Sequence, residues 1–157
     1  MSDTPQNPHE LARKQALRFL ERRALSTKEL RDKLTTKGID PHVADETVSY
    51  LTDLRLLDDV DYAEQIVRHY HAKRFGRLRI EQELWRRGIA KDLWEDAFAE
   101  TPDSTDDAID ALLHTKLRGQ MPDPSDEKRA ADALRRRGHN WDDISAGIRR
   151  YKESLSE

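Results

Sequence analysis

Cysteine is absent from the 157 residues. That absence excludes a disulfide, a thiolate nucleophile and a sulfur-ligated zinc. Aromatic residues are scarce at 6 % and hydrophobic residues reach only 36 %. So little apolar material does not fill one thick core, and thin modules with much surface per residue fit better. The longest apolar runs, such as Leu56-Leu57 and Ile66-Val67, are short, where a transmembrane helix needs about 20 residues. Met1 to Pro8 carry neither the basic start nor the apolar stretch of a signal peptide. The expectation is a soluble, cytoplasmic protein with no membrane partner. Catalytic signatures are missing too: GxxxxGK[ST], GxGxxG, HExxH and GxSxG do not occur. No cofactor, no metal and no enzymatic activity are expected.

Charge, by contrast, is plentiful. Asp, Glu, Lys and Arg make up 38 % of the chain, against roughly 25 % in an average soluble protein. The net charge of −3 conceals segregation. From Arg68 to Arg87 there are seven cations (Arg68, Lys73, Arg74, Arg77, Arg79, Arg86, Arg87) and two acids, Glu81 and Glu83. Lys128 to Arg137 holds five basic residues and one acid, Asp132. Asp92 to Asp110 holds eight acids and no Lys or Arg. Such blocks steer a charged partner, or simply solvate helix faces.

Apolar residues recur at three and four rather than at two, which predicts an all-α chain. Ala12, Ala16, Phe19 and Leu20 mark a first helix from about His9 to Ala24. Leu30 and Leu34 mark a second, and Ala44, Val48 and Leu51 a third. Ser26 with Glu29 reads as a capping box, Gly38 as a helix stop, and Asp40-Pro41 as N-cap plus first helical residue. Asp123-Pro124 and Asn140 before Trp141 start later helices in the same way. The chain also matches itself at a period of fifty: Leu30, Leu34, Gly38 and Ile39 align with Ile80, Leu84, Gly88 and Ile89. Ala130, Leu134 and Gly138 continue the series more weakly, and Lys37, Arg87 or Arg137 precedes each glycine. Three tandem three-helix repeats are expected, at 9–56, 57–101 and 102–155, after a flexible tail of residues 1–8. Pro102 and the stretch Gly119 to Pro124 read as breaks. Repeats this thin gain by packing on their neighbours, and Gly38 and Gly88 should take positive φ.

Candidate chemistry is sparse. His69 and His71, two apart, face different sides of a helix and chelate poorly. Asp58, Asp59 and Asp61 suit a cation or, through the macrodipole, a helix start. The basic helices say more. Lys14, Arg18 and Arg22 form an i, i+4 stripe, while Arg79 and Arg86 share one helix face that Arg77 enters, with neither Glu81 nor Glu83 cancelling their field. Tyr70 and Phe75 lie beside Lys73-Arg74, an arrangement that suits a phosphate backbone or a stacked base. The two aromatics also read as core residues at a helix end. Trp85, Trp94 and Trp141 stand in or beside repeat positions and read as packing.

The run Leu56-Leu57-Asp58-Asp59-Val60-Asp61-Tyr62-Ala63 resembles the "G-x-L-D-D-x-x-F/Y-A" signature of the RecX family. Lys73-Arg74-Phe75-Gly76-Arg77-Leu78-Arg79-Ile80-Glu81-Gln82-Glu83-Leu84-Trp85-Arg86-Arg87-Gly88-Ile89 is similar to its "K-G-x-x-x-I-x-x-E-L-x-x-K-G-I". Ser26-Thr27-Lys28-Glu29-Leu30 matches the "S-x-x-E-L" helix of the same family. Arg55 departs from the pattern, standing where a Gly or aromatic residue is common, and Arg77 stands where a Pro is common. The resemblance implies an elongated, curved, all-α monomer of three three-helix repeats. It implies a regulator, not an enzyme, that inhibits the RecA recombinase by binding the RecA–DNA nucleoprotein filament in its groove. ATPase activity, strand exchange, recombination and the SOS response would be the processes affected. On the matched motif, the implied filament or DNA contacts are Lys73, Arg74, Arg77, Arg79, Arg86 and Arg87. A helix-turn-helix transcription regulator and a helical scaffold for another protein remain as alternatives.

Overall fold

A computed structural model describes residues 7–101 and 105–156; Pro102 and residues 1–6 of the expected tail lie outside the described residues. Those described form nine α-helices and no strand. The helices are α1 Pro8–Arg22, α2 Thr27–Thr36, α3 Pro41–Asp53, α4 Asp59–Ala72 and α5 Arg77–Arg86. They continue with α6 Trp94–Glu100, α7 Thr105–Leu117, α8 Pro124–Arg136 and α9 Trp141–Leu155. A short 3-10 turn, Lys91–Leu93, leads into α6.

The helix starts follow local chemistry. Ser26 Oγ accepts from the Glu29 N–H while the Glu29 carboxylate accepts from the Ser26 N–H. Asp40 caps α3 ahead of Pro41, Asp123 caps α8 ahead of Pro124, and Asn140 caps α9. α1 departs from expectation at both ends. Asn7 Oδ1 accepts from the His9 N–H with Pro8 in the first turn, so the helix begins inside the segment read as tail. It stops at Arg22, because Arg23 is already extended on its way to the Ser26 cap.

The period of fifty is a backbone event. Gly38, Gly88 and Gly138 have φ of 91°, 78° and 96°. At each, the glycine N–H reaches the carbonyl three residues back and the next N–H reaches the carbonyl five back. This Schellman closure satisfies orphan carbonyls and favours glycine, which has no Cβ to clash. Arg55 and Arg74, with φ of 60° and 66°, make the same closure with a side chain attached, at a cost of about 1 kcal/mol.

The chain divides into two compact units, residues up to Ala63 with Leu84–Leu93, and Glu64–Glu83 with Trp94 onward. In unit 1, α1 to α3 bury Ala16, Leu25, Leu30, Leu34, Ala44, Leu51 and Leu57. In unit 2, α7 to α9 bury Ile109, Leu113, Ala130, Ala131, Leu134, Ile144 and Tyr151. Of the three tryptophans only Trp94 packs inside; Trp85 is 75 % and Trp141 56 % exposed. Trp85 follows the buried Leu84 by one residue, a 100° rotation that turns it outward. Trp141 is the first residue of α9, before the helix reaches its core contacts.

Each unit contains one glycine turn laid against a helix start, and the two joints are fifty residues apart. In unit 1, Ser26 Oγ donates to the Arg87 carbonyl, and a Cβ on Gly88 would meet the Lys28 side chain at 2.7 Å. Asp59, at the start of α4, accepts from both the N–H and the hydroxyl of Thr27. In unit 2 the joint is backbone on backbone. The Gly76 N–H donates to the Arg137 carbonyl at 2.8 Å and the Leu78 N–H to the Gly138 carbonyl at 3.1 Å. A Cβ on Gly76 would lie under 3.0 Å from Gly138 backbone atoms, and one on Gly138 under 3.0 Å from the Arg79 backbone.

The three repeat glycines should therefore differ when changed to alanine. Gly38, with nothing near its Cβ position, should lose only about 1 kcal/mol, whereas Gly138→Ala should lose about 2–3 kcal/mol or more through added steric conflict. Urea melts followed by circular dichroism test the order, and equal losses would contradict it. Arg55→Gly should instead raise stability by about 0.5 kcal/mol, the relief of left-handed strain less the added chain entropy.

Candidate functional site

Lys73 and Arg74 close α4, Phe75 and Gly76 form the turn, and Arg77 and Arg79 open α5. The left-handed Arg74 brings Phe75 back onto α4, where its ring meets Tyr70 edge-on at 5.5 Å. This is the apolar contact that accompanies a Schellman closure. Both aromatics therefore serve the helix end as packing. The Arg137 guanidinium lies 4.3 Å over the Phe75 ring and that of Arg79 lies 5.7 Å from it. Arg137 Nη2 also donates to the Lys73 carbonyl, and His139 Nε2 lies 3.0 Å from the Arg74 carbonyl. The basic turn is thus clamped by the α8–α9 turn, and its side chains project from a fixed backbone.

The cations at this turn are not equivalent. Arg77 stacks on Phe98 at 4.2 Å and pairs with Glu81 at 3.4 Å and with Glu95. Arg79 Nη2 stands 3.6 Å from the buried carboxylate of Glu83. Glu81 and Glu83 therefore do offset these two arginines, contrary to the reading of the sequence, because i, i+4 spacing on α5 sets each acid beside its cation. Lys73 and Arg74 are exposed and have no ion-pair partner among the described residues. Arg86 and Arg87 belong to unit 1. Arg86 is exposed; Arg87 is half-buried, with Nη1 2.8 Å from the Tyr62 hydroxyl. The structure thus gathers Lys73, Arg74, Arg77 and Arg79 in unit 2, while Arg87 braces its own turn in unit 1.

The stripe of Lys14, Arg18 and Arg22 is exposed on α1. Asp58 caps α4 by accepting from the Asp61 N–H, which with the Asp59 bonds gives these acids a helix-start role. Arg137 and His139 were not among the residues singled out for the site. The signal for Arg137 was present, a basic residue before each repeat glycine, but its target lies 64 positions away in sequence.

Two family descriptions match the chain: "RecX, first three-helix domain" over residues 12–51 and "RecX, second three-helix domain" over 58–97. The regulatory protein RecX of Xanthomonas oryzae pv. oryzae (strain MAFF 311018) is 37 % identical over 136 residues, covering 85 % of this chain and 84 % of the relative. The chain belongs to the RecX family. A second relative, regulatory protein RecX of Vibrio parahaemolyticus, is 29 % identical over 144 residues, 91 % of this chain and 93 % of its own. The crystal structure of RecX from Lactobacillus salivarius has the same fold, with a TM-score of 0.84 at 23 % identity over 93 % of this chain and 97 % of that one. This RecX-family chain is accordingly a regulatory protein with an all-α repeat fold. All six cations of the motif fall within the second RecX domain match. Among the described residues no helix is long and apolar enough to cross a membrane.

His139 gives the clamp a pH dependence. Burial pushes its pKa below the usual value and neighbouring Arg137 lowers it further, against the Arg74 carbonyl and Asp143, which raise it. With Nε2–H donated to Arg74, Nδ1 is a buried nitrogen without a hydrogen-bond partner. The unfolded chain takes up this proton near pH 6.5 and the folded chain only at lower pH. The stabilisation is therefore complete above about pH 6.5 and is lost as pH falls through the folded value. Urea midpoints at pH 7 and pH 5 should separate more for the parent than for His139→Gln, and equal separations would refute the assignment.

Proposed function

We propose that this RecX-family chain regulates the RecA recombinase without catalysis. It binds the RecA–DNA nucleoprotein filament in its groove and inhibits ATP hydrolysis and strand exchange, and so modulates recombination, DNA repair and the SOS response. It works in the cytoplasm as a monomer of three repeats. The observation that carries this reading is the 37 % identity to a regulatory protein RecX across 85 % of the chain. What supports a contact at the basic turn is the pair of exposed cations, Lys73 and Arg74, held on a clamped backbone. Arg77 and Arg79 extend the proposed surface within unit 2; in unit 1 Arg86 is proposed as a separate contact, and Arg87 contributes by holding its turn. A prearranged cationic surface spends little conformational entropy when it meets a phosphate backbone or an acidic protein surface.

The test is the ATPase rate of RecA on single-stranded DNA as this chain is added. Inhibition that grows with concentration is expected, and an unchanged rate would remove the reading in favour of a scaffold for another protein. Specific retention on one duplex sequence without recombinase would favour a transcription regulator. Arg79 is a poor probe, because its reversal would set two carboxylates together at buried Glu83. Lys73→Glu with Arg74→Gly is better, since glycine suits the φ of 66°. Each charge-assisted contact is worth roughly 1–3 kcal/mol, so the variant, which loses two, should need at least about thirtyfold more protein to inhibit, by a margin that shrinks with salt.

A further inference from the structure

Among the described residues three that are not glycine have a positive φ, and all three are arginines: Arg55, Arg74 and Arg118, at 60°, 66° and 55°. After glycine, the residues that enter this conformation most readily are Asn, Asp and His. A cation at a helix C-terminus recovers part of the strain through the macrodipole, and the rest points to a role beyond the fold. Arg74 already belongs to the basic turn. Arg55 stands among acids, with exposed Asp53 two residues before it and exposed Asp58 three after. Arg118 is different, because no acid occurs from Ala111 to Pro122.

Arg118 closes α7 in unit 2. Its N–H reaches the His114 carbonyl and the Gln120 N–H reaches the Leu117 carbonyl, both at 3.0 Å, with Gly119 also left-handed at 72°. The buried Tyr151 of α9 donates its hydroxyl to the Gln120 carbonyl at 2.7 Å and so pins the turn. Unit 2 thus contains the arrangement of the Lys73-Arg74 turn a second time. A lysine and a left-handed arginine end a helix, on backbone held by a side chain from elsewhere in the unit. Beside the turn, Lys116, Leu117, Asp126, Arg129 and Ala130 line a cleft of about 240 Å³. That is smaller than the roughly 300–1,000 Å³ pocket of a drug-sized ligand and suits a single charged group.

The acids nearest this turn in sequence are committed. Asp123 and Asp126 bond each other's backbone in the α8 capping box, and Asp126 pairs with Arg129 at 2.9 Å. Glu127 pairs with Lys152, and Asp110 with Arg150. On α9, Glu153 lies two residues from Tyr151, a rotation of about 200° that aims it away from Gln120. Lys116 and Arg118 are exposed and have no ion-pair partner among the described residues. The guanidinium fork matches two oxygens of a phosphate, and the ammonium supplies a point charge beside it. Met121 is the one large apolar side chain exposed on residues 114–123. A protein interface has an apolar core, whereas a phosphate backbone needs none.

We propose that the α7–α8 turn is a second phosphate contact of unit 2, where Lys116 and Arg118 hold the backbone of a nucleic-acid strand. Arg118 keeps a side chain where glycine would relieve strain because its guanidinium meets the phosphate. The inference deepens the recombinase reading, on which it rests for the presence of DNA, by giving the strand a contact of its own; it is tested without RecA.

The test is fluorescence anisotropy of a labelled single-stranded oligonucleotide titrated with the full-length chain at several salt concentrations. Lys116→Gln with Arg118→Gly should weaken binding at least about thirtyfold at low salt. It should also flatten the slope of log affinity against log salt by about 1.4, the share of two phosphates on a single strand. Circular dichroism melts should show this variant folded, since glycine suits a φ of 55°. Lys14→Gln with Arg55→Gly removes the same charge from unit 1 and should bind like the parent. Equal loss in that control, an unchanged slope in the Lys116 and Arg118 variant, or no oligonucleotide binding by the parent would each overturn the proposal. So would a variant that binds the oligonucleotide like the parent yet inhibits RecA less, which would assign the turn to the recombinase. Inhibition of RecA by the parent chain is measured apart from all of these, so the recombinase reading fails or stands on its own assay.

Discussion

A chain with few apolar residues holds its repeats together by bringing backbone close to backbone, and the left-handed glycine turn makes that approach possible. The Gly138 turn fits against the start of α5 because neither Gly138 nor Gly76 carries a Cβ. Once seated, its carbonyl satisfies the Leu78 N–H, one of the orphan donors that every helix start must place. The clamp on Phe75 by Arg137, the burial of His139 and the fixed carriage of Lys73 and Arg74 all follow from that seating. The corresponding turn at Gly88 serves unit 1 in the same way, with a serine hydroxyl in place of an amide.

The same economy explains how a chain of net charge −3 presents exposed cations. Many acids stand where helices begin: Asp106 and Asp107 on α7, Asp126 and Glu127 on α8, Asp142 and Asp143 on α9. There the macrodipole stabilises them, and some are drawn into ion pairs, as Asp106 and Asp110 are with Arg150. The acids near the basic turn are committed to Arg77 and Arg79. Lys73 and Arg74 escape compensation because the turn carries them beyond the i, i+4 neighbours of either helix. A total charge thus says little about a local field.

Caps and periods were legible because they are local. Ser26 with Glu29, Asp40-Pro41 and Asn140 need only neighbours three residues away, and the structure forms each of them. The glycine period was legible because φ above zero leaves a residue-type mark at 38, 88 and 138. Arg55 and Arg74 adopt the same geometry without that mark, so their left-handed turns could not be read. The cation surface was half legible. Residue type and spacing picked out the basic cluster, but Glu95 reaches Arg77 across eighteen residues and Arg137 reaches Lys73 across 64. Trp85 and Trp141 misled because a large aromatic near a repeat position suggests core, whereas Trp85 is turned outward one residue past Leu84 and Trp141 stands at the very start of α9.

The two joints differ in which atoms cross them, and this gives them different histories in deuterated water. In unit 2 the amides of Gly76 and Leu78 are donated across the joint, so each exchanges only when the Gly138 turn lifts away. In unit 1 a hydroxyl makes the crossing, while the Ser26 and Thr27 amides are held by Glu29 and Asp59. Lifting the Gly88 turn alone breaks the Ser26 hydroxyl bond and frees no amide of that helix start; the Thr27 amide exchanges only when Asp59 also leaves. The first joint can be rewritten by exchanging a side chain. The second is written by two missing ones, and any addition at Gly76 or Gly138 erases it.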